Sequence, residues 1–192
     1  MTAAATTMEG LALRTATLDD VAAIEAIIVE SAHGLGAGDY THATIEAALK
    51  GAFGVDTQLL KDRSYFVAEV RGELAACGGW SFRRTLFGSD ARADRDPQSL
   101  DPKLDAAKIR AFFVRPKFAR LGIGSALLQR CEQEAQRFGF RRFELMATLP
   151  GVRLYQARGY QPGEKIRWPL PGGLAIEFVP MAKSVSPAAP PA

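Results

Sequence analysis

The stretch from Lys108 to Leu128 constrains the fold of this chain more than any other part of the sequence. Its first part, KIRAFFV, is rich in β-branched and aromatic residues, which favours a strand that Pro116 then prevents from continuing. From Ile123 to Phe138 the apolar residues recur at helical spacing, which predicts a helix. The stretch therefore predicts a strand, a short turn with two glycines, and a helix.

The turn between this strand and this helix, residues 119–124, predicts a site for an anionic group. Gly122 and Gly124 allow a ligand to approach the backbone, and the first amides of a helix have no intrahelical acceptor. Such amides bind phosphates. A P-loop would require Lys and then Ser or Thr after the second glycine, whereas Ser125 and an alanine stand there. A dinucleotide-binding fingerprint would require a third small residue where Leu127 stands.

The composition is that of an ordinary globular domain. The chain has 192 residues, of which 47% are hydrophobic and 23% charged, so one domain with a substantial core is expected. Its 24 Lys and Arg residues form no clustered basic tract, which predicts no nucleic-acid partner. Cys77 and Cys131 are too few for a disulfide framework and are expected to be buried thiols. The N-terminal residues lack the regions of a signal peptide and no apolar run reaches membrane-spanning length, which predicts a cytoplasmic protein without a membrane partner.

Periodicity along the rest of the chain predicts further strands and helices. Strands are predicted at residues 11–14, 64–70, 73–82, 109–114, 142–147, 160–168 and 174–181, and helices at residues 17–31, 44–53, 123–138 and 152–158. Residues 1–10 are expected to be a disordered lead and residues 184–192 a disordered tail. Residues 85–107 show no apolar period, which is typical of a lid, a binding loop or a disordered segment.

Several polar and aromatic residues are candidates for binding an acceptor substrate. The glycine-rich link after the first helix suits either a substrate-facing loop or a solvated connection, and it contains Ser31, His33, Asp39, Tyr40 and His42. No third ligand is spaced with the two histidines, so the sequence predicts no metal site. Trp80, at the end of a predicted hairpin, is a further candidate. Arg110 is another, and it would meet either the acceptor or a neighbouring carboxylate.

Two motifs resemble those of the GNAT-type N-acetyltransferases. In motif A of that family the pattern Gln/Arg-x-x-Gly-x-Gly/Ala cradles the pyrophosphate of acetyl-CoA, and here Ala119 takes the first position, with Arg120 one residue later. The segment LYQARGY, from Leu154 to Tyr160, resembles motif B, in which Tyr-x-x-x-Gly-Phe/Tyr follows an aromatic or aliphatic residue. The order of predicted elements also resembles the GNAT fold over residues 11–183.

This resemblance implies a fold class and an activity. The fold would be an α/β (α+β) GNAT domain, with a central mixed, mostly antiparallel, twisted sheet of about seven strands flanked by about four helices. The activity would be transfer of an acetyl group from acetyl-CoA to a primary amine on a small molecule or a protein, without a metal. An exposed final strand would allow two copies to pair as a homodimer.

The resemblance also implies roles for individual residues. Tyr155 would lie near the thioester sulfur, where its hydroxyl would protonate the departing thiolate of coenzyme A. Arg120, with Arg115 and Lys117 nearby, would add positive charge around the phosphates, although each is equally well explained as a solvated cation. The cofactor would be bound along the strand end and the turn, by Phe112, Phe113, Val114, Arg120, Leu121, Gly122, Ile123, Gly124 and Ser125.

Direct attack of an amine on the thioester has two further requirements. Backbone amides near Phe113 or Val114 would stabilise the oxyanion. A base must also remove a proton from the ammonium form of the amine. The sequence indicates no particular residue for this role, and a water relay would also serve, so no base is assigned. Two other hypotheses remain. One is an acyl-CoA-binding sensor or regulatory module without transferase activity, and the other is a nucleotide-binding protein, which the two mismatched glycine patterns disfavour.

Overall fold

The fold is built on one open sheet with helices against both of its faces. A computed structural model describes residues 9–186 except 88, 91–95 and 97. Within these residues the strands are β1 (Leu11–Thr15), β2 (Tyr65–Val70), β3 (Glu73–Ser81), β4 (Ala107–Val114), β5 (Arg142–Thr148), β6 (Gln161–Pro162), β7 (Ile166–Pro169) and β8 (Ala175–Ser184). The α-helices are α1 (Val21–Gly36), α2 (His42–Ala48), α3 (Thr57–Lys61), α4 (Ile123–Arg137) and α5 (Val152–Ala157).

The order of the strands confirms a mixed, mostly antiparallel sheet. The order is β1-β2-β3-β4-β5-β8, and the short β6 and β7 both pair with β8. All of these pairs are antiparallel except β4 with β5, which are parallel and connected by α4. A parallel pair needs such a crossover because a tight turn can only reverse the chain direction.

Several predicted elements differ in number or extent from those observed. The predicted strand at residues 160–168 is two strands, because the chain leaves the sheet between Pro162 and Ile166. The helix α3 was not predicted, and it is only five residues long, with the Asp56 carboxylate accepting the Gln58 N–H at its start. The described residues therefore contain eight strands and five α-helices rather than about seven and four.

The first helix is longer than predicted. It continues through His33 to Gly36 because residues on one face remain buried beyond the predicted end, namely Ala32 and Gly36. Ser31 and His33 are consequently helical residues and not part of the connecting link.

Two apolar clusters cover the two faces of the sheet. One cluster joins α4 to the strands, and its most buried members include Leu127, Leu128 and Phe143. The other cluster joins α1, α2 and α3 to the opposite face, with Ile27 and Leu59 fully buried. The predicted buried thiols are confirmed, since Cys77 and Cys131 are free and buried on opposite faces.

Some predictions fall on residues that the structure does not describe. Most of the expected lead and tail, residues 1–8 and 187–192, lies outside the described residues, as do positions 88, 91–95 and 97 of the long connection before β4. Among the helices that the structure does describe, none has the length and apolar character needed to cross a lipid bilayer.

Candidate active site

A bulge in β4 is the structural origin of the site. Ala111 has a left-handed backbone, with φ of 55°, and Ala111 and Phe112 together lie opposite the single residue Gly78 on β3. Gly78 is required here because a Cβ atom at this position would lie 2.7 Å from the Phe112 ring. Such a bulge bends its strand. Accordingly, β4 pairs with β5 only over residues 107–109, and the two strands then diverge.

The divergence exposes backbone donors on one side of β4. The Val114 N–H points into the gap and donates to Ser31 Oγ on α1 at 3.3 Å. Phe112, two residues earlier, directs its N–H to the same side because peptide groups alternate along a strand. The gap therefore offers the Phe112 N–H to a ligand oxygen, beside the Val114 N–H that Ser31 accepts.

A cavity of about 560 Å³ fills the space next to this gap. Its volume is typical of small-molecule sites, which span roughly 300–1,000 Å³. It is lined by the end of β4, the start of α4, one side of α1, and α5 with the residues before it. The lining residues include Ser31, Leu35, Tyr40, Phe53, Phe112, Phe113, Val114, Phe118, Ala119, Arg120, Gly122, Ile123, Gly124, Ser125, Thr148, Gly151, Arg153, Leu154 and Tyr155.

The turn before α4 has the geometry of an anion site. Arg120 and Gly122 both have left-handed backbones, with φ of 66° and 83°, and Gly122 is the N-cap of the helix. The first intrahelical bond is donated by the Ala126 N–H to the Gly122 oxygen at 3.0 Å. The three preceding N–H groups, of residues 123–125, thus have no acceptor within the helix. Together with the helix dipole they attract a negatively charged group.

The cations near this turn are unequally available. Arg120 lines the cavity. Arg115 instead pairs with Glu30 and Glu73, at 3.3 Å and 3.0 Å, and Lys117 pairs with Glu73 at 2.6 Å. Of the three predicted cations, Arg120 is the one that the structure places at the cavity wall.

Tyr155 lies where the cavity reaches the sheet. Its side chain is 8% exposed, and its ring contacts the edge of Phe112, with 6.3 Å between centroids. Burial, with a further contribution from the nearby Cys131 thiol, raises the pKa of Tyr155 above its ordinary value. The phenol is therefore protonated at neutral pH and is able to donate a proton.

Tyr40 ties the connection between α1 and α2 to the sheet. Its hydroxyl donates to the Glu177 carbonyl oxygen and accepts the Leu149 N–H, both at 2.8 Å. Burial raises the pKa of Tyr40 to about 12, so the hydroxyl keeps its proton. Tyr40 also lines the large cavity.

A second, smaller cavity of about 60 Å³ lies on the other side of the β4 bulge. It shares Phe112, Phe113 and Tyr155 with the large cavity, so the two meet at the end of β4. Arg110 lines it, and its Nη2 lies 2.6 Å from Asp56 Oδ2, with both side chains almost fully buried. Of the two options predicted for Arg110, the structure shows the carboxylate partner.

The long connection between β3 and β4 packs over this small cavity. Phe87 lines the cavity and contacts Trp168 edge-on, with 4.8 Å between ring centroids. The Ser89 N–H donates to the Gly51 oxygen at 3.2 Å, and the Thr57 N–H donates to the Asp90 carboxylate. The described part of the connection is therefore docked against the helices α2 and α3.

Three predicted site residues lie away from both cavities. Trp80 is buried on the α4 side, where its ring contacts Phe82, Phe138 and Phe140. His33 lies on the far side of α1, with its Nε2 3.0 Å from Glu46 Oε1. The Leu121 side chain is 49% exposed and does not line the cavity, although its neighbours do.

Ser31 was predicted to belong to the polar link after the first helix, and the structure places it in the cavity wall on the buried stripe of α1, at helical spacing from Ile24, Ile27 and Ile28. Thr148 and Arg153 of the cavity wall were not identified from the sequence, because their positions depend on how β5 and α5 pack.

The sequence and the fold were compared with known proteins. A sequence model of the acetyltransferase (GNAT) family matches residues 39–160, well over half of the chain. No sequence among curated proteins matches significantly.

Solved structures with the same fold include three acetyltransferases. The first is a GCN5-related N-acetyltransferase from Rhodopseudomonas palustris, 20% identical over 95% of this chain and 100% of that chain, with a TM-score of 0.68. The PaiA N-acetyltransferase from Thermoplasma acidophilum in complex with coenzyme A is 14% identical, with 91% and 99% covered and a TM-score of 0.63. The ribosomal-protein-S18-alanine N-acetyltransferase from Escherichia coli is 18% identical, with 93% and 96% covered and a TM-score of 0.58. At these identities the similarity is one of fold.

Proposed function

The chain belongs to the acetyltransferase (GNAT) family, and on this premise we propose that it transfers the acetyl group of acetyl-CoA to a primary amine. The observation that carries the proposal is the left-handed turn at Arg120 and Gly122, whose amides open onto a 560 Å³ cavity beside the β4 bulge. A diphosphate fits the donors of this turn, and an acyl thioester fits the gap between β4 and β5. The coenzyme A complex of the Thermoplasma protein, which has the same fold, supports this assignment.

In the proposed complex the cofactor lies along the cavity wall. The amides of residues 123–125 bind the pyrophosphate, with Arg120 adding positive charge. The pantetheine arm follows residues 112–114, so that the thioester reaches the Phe112 N–H and the Tyr155 hydroxyl. Ala119, at the position of the family's Gln or Arg, contributes no polar side chain, and the backbone amides therefore carry most of the phosphate binding.

The reaction proceeds by direct attack within a ternary complex. The neutral amine attacks the thioester carbon, a C–N bond forms, and the carbonyl oxygen becomes an oxyanion that the β4 amides stabilise. The C–S bond then breaks, and the Tyr155 hydroxyl donates its proton to the sulfur as general acid. The nitrogen loses one proton, which returns to Tyr155 through solvent, so the products are an N-acetylated amine and the free thiol of coenzyme A.

The acceptor amine enters from the side of the small cavity. This cavity meets the large one at Phe112 and Tyr155, on the opposite side of the bulge from the α4 turn. Its volume of about 60 Å³ accommodates the reacting amino group but not a large side chain. A larger acceptor requires the connection around Phe87 to move.

The cofactor assignment is tested by thermal unfolding of the purified protein with acetyl-CoA, using ATP and NADH as controls. We expect acetyl-CoA to raise Tm by several degrees at saturating concentration, and the controls to leave it nearly unchanged. The test variant is Gly122→Val, and Gly72→Val is its matched control. Gly72 has the same left-handed φ, 82°, and equally open space around its Cβ position, but it lies in the β2–β3 turn.

Both substitutions carry the same backbone strain, about 1–2 kcal/mol, so both should lower the Tm of the free protein similarly. Gly122→Val should also lose the acetyl-CoA shift, whereas Gly72→Val should keep it. If acetyl-CoA raised the Tm of both variants equally, the phosphates would bind elsewhere. If millimolar acetyl-CoA did not raise the Tm of the wild-type protein, the proposal would be wrong.

A second measurement separates a transferase from an acyl-CoA-binding sensor. Release of free thiol is followed with a panel of primary amines, and acetylated product is identified by mass spectrometry. Amine-dependent thiol release supports the transferase. Binding of acetyl-CoA without product for any amine favours the sensor.

A further inference from the structure

The fold brings both histidines of the chain to one carboxylate, outside the cavities described above. His33 lies in the last part of α1 and His42 is the first residue of α2. The sequence contains two histidines in all. Their ring centroids are 5.3 Å apart, and His33 Nε2 lies 3.0 Å from Glu46 Oε1. One donor atom from each of the three side chains lies within 4.8 Å of the others.

Secondary structure explains how this cluster arises. His42 and Glu46 are four residues apart on α2, so they lie on one face of that helix. The reversal of the chain between α1 and α2 then brings His33 against the same face. The sequence analysis identified no third group spaced with the two histidines, whereas the structure places the Glu46 carboxylate beside both of them.

We propose that His33, His42 and Glu46 form a binding site for a divalent first-row transition metal, with Zn²⁺ as the best match. Two imidazole nitrogens and one carboxylate oxygen are ligand types that Zn²⁺ prefers, and three protein ligands leave a fourth position for water. A surface ion pair accounts for His33 and Glu46 only. It does not involve His42, whose ring lies beside that of His33 with 5.3 Å between the centroids. A metal ion between the three groups accounts for all of them.

The metal would link two helices that support the large cavity. Its ligands lie on either side of residues 37–41, the connection that contains Tyr40. The Tyr40 hydroxyl bonds to Leu149 and Glu177 and its side chain lines the cavity. A bound ion therefore restrains this connection from the surface, while Tyr40 anchors it to the sheet.

The site is tested by calorimetric titration of the untagged full chain with Zn²⁺, and by the visible spectrum of its Co²⁺ complex. The test variants are His42→Ala, which leaves the contact between His33 and Glu46 intact, and Glu46→Gln, which retains the shape of the side chain. Glu25→Gln is the control, because Glu25 is an exposed glutamate on α1 outside the cluster. Circular dichroism verifies that each variant folds.

We expect one equivalent of Zn²⁺, binding roughly tenfold or more weaker in both test variants, and unchanged binding in Glu25→Gln. The Co²⁺ complex should show visible absorption that both test variants lose. Amide hydrogen exchange across residues 37–41 should slow with Zn²⁺ in the wild-type protein only. Absence of one-equivalent binding, or binding that survives both substitutions, would overturn the proposal. Acetyl-CoA is absent throughout, so the outcome is independent of the proposed activity.

Discussion

Tyr155 is buried and also lines the candidate site. It is buried against Phe112 and Tyr160, yet it lines both cavities at the point where they meet. Because burial raises its pKa, the Tyr155 hydroxyl remains protonated at neutral pH. A buried hydroxyl beside the end of β4 fits the general-acid role proposed for Tyr155.

We expect Tyr155→Phe to lower kcat by about 100-fold or more, because removal of a general acid typically costs two to four orders of magnitude. The affinity for acetyl-CoA should stay nearly unchanged, since the phenyl ring and its contacts remain. The matched control is Tyr160→Phe, which removes a hydroxyl from the neighbouring ring of the same motif, outside both cavities. Steady-state kinetics and acetyl-CoA titration separate the two effects. Equal turnover in Tyr155→Phe and wild type would exclude Tyr155 from the mechanism.

An ion pair between Arg14 and Asp20 stabilises the turn that connects β1 to α1. Two nitrogens of the Arg14 guanidinium donate to the two oxygens of the Asp20 carboxylate at 2.7 Å, and the Thr17 N–H donates to the same carboxylate at 2.8 Å. Asp20 is 7% exposed. Chiefly through the Arg14 bond, and against the opposing effect of burial, the pKa of Asp20 is lowered from 3.8 to about 2.

The lowered pKa predicts a pH-dependent contribution to stability. Because the pKa is lower in the folded state, the stabilisation is complete above pH 3.8 and is lost as the pH falls toward about 2. At neutral pH we expect Asp20→Asn to cost about 1–2 kcal/mol, allowing for the partial solvent exposure of Arg14. Urea unfolding at several pH values should show the difference from wild type shrinking as the pH falls below 3.8 toward about 2.

The neighbouring Asp19 provides the control for this measurement. It is exposed in the same turn, so Asp19→Asn should change stability by no more than about 0.5 kcal/mol at any pH. A difference for Asp20→Asn that stays constant as the pH falls would assign the loss to packing and not to charge.

At the scale of elements, prediction from sequence succeeded where local pattern decides and failed where packing decides. The strands β1 to β5 and the helices α4 and α5 were predicted to within one or two residues at almost every end, because each carries its own periodicity and turn residues.

The β4 bulge was not predicted. Its left-handed residue is Ala111 and not glycine, so nothing in the local sequence indicates it. The bulge places the Phe112 ring against Gly78 on the next strand, where a Cβ atom would lie 2.7 Å from the ring.

At the scale of the whole molecule, the two apolar clusters are linked by the strands they share. Phe66 and Ala68 of β2 belong to one cluster, and Tyr65 and Val67 of the same strand belong to the other. Neither cluster can lose its packing without disturbing the sheet beneath the other. We therefore propose that residues 11–183 unfold as one domain.

Calorimetry tests this proposal with a matched pair of substitutions. Leu59 on α3 and Leu128 on α4 are equally buried on opposite faces of the sheet. We expect a single transition whose calorimetric and van't Hoff enthalpies agree. Leu59→Ala and Leu128→Ala should each lower its midpoint by roughly 5–15 °C, since a buried Leu→Ala change costs about 2–5 kcal/mol. Two transitions, each sensitive to one substitution, would show that the faces unfold independently.

The sequence by itself determined the order of most elements, the turn at Gly122 and Gly124, and the motif around Tyr155. The elements and the turn depend on residues within about one helical turn of each other, so periodicity and glycine placement are sufficient to predict them. The motif around Tyr155 was identified by its resemblance to the family's motif B. Only the tertiary structure decided that Arg110 pairs with Asp56 and that Trp80 is buried in the core. It also decided that His33 lies beside His42 and Glu46. Each of these depends on which face of one element packs against another, and that choice is made by burial across the whole sheet and not by neighbours in the chain.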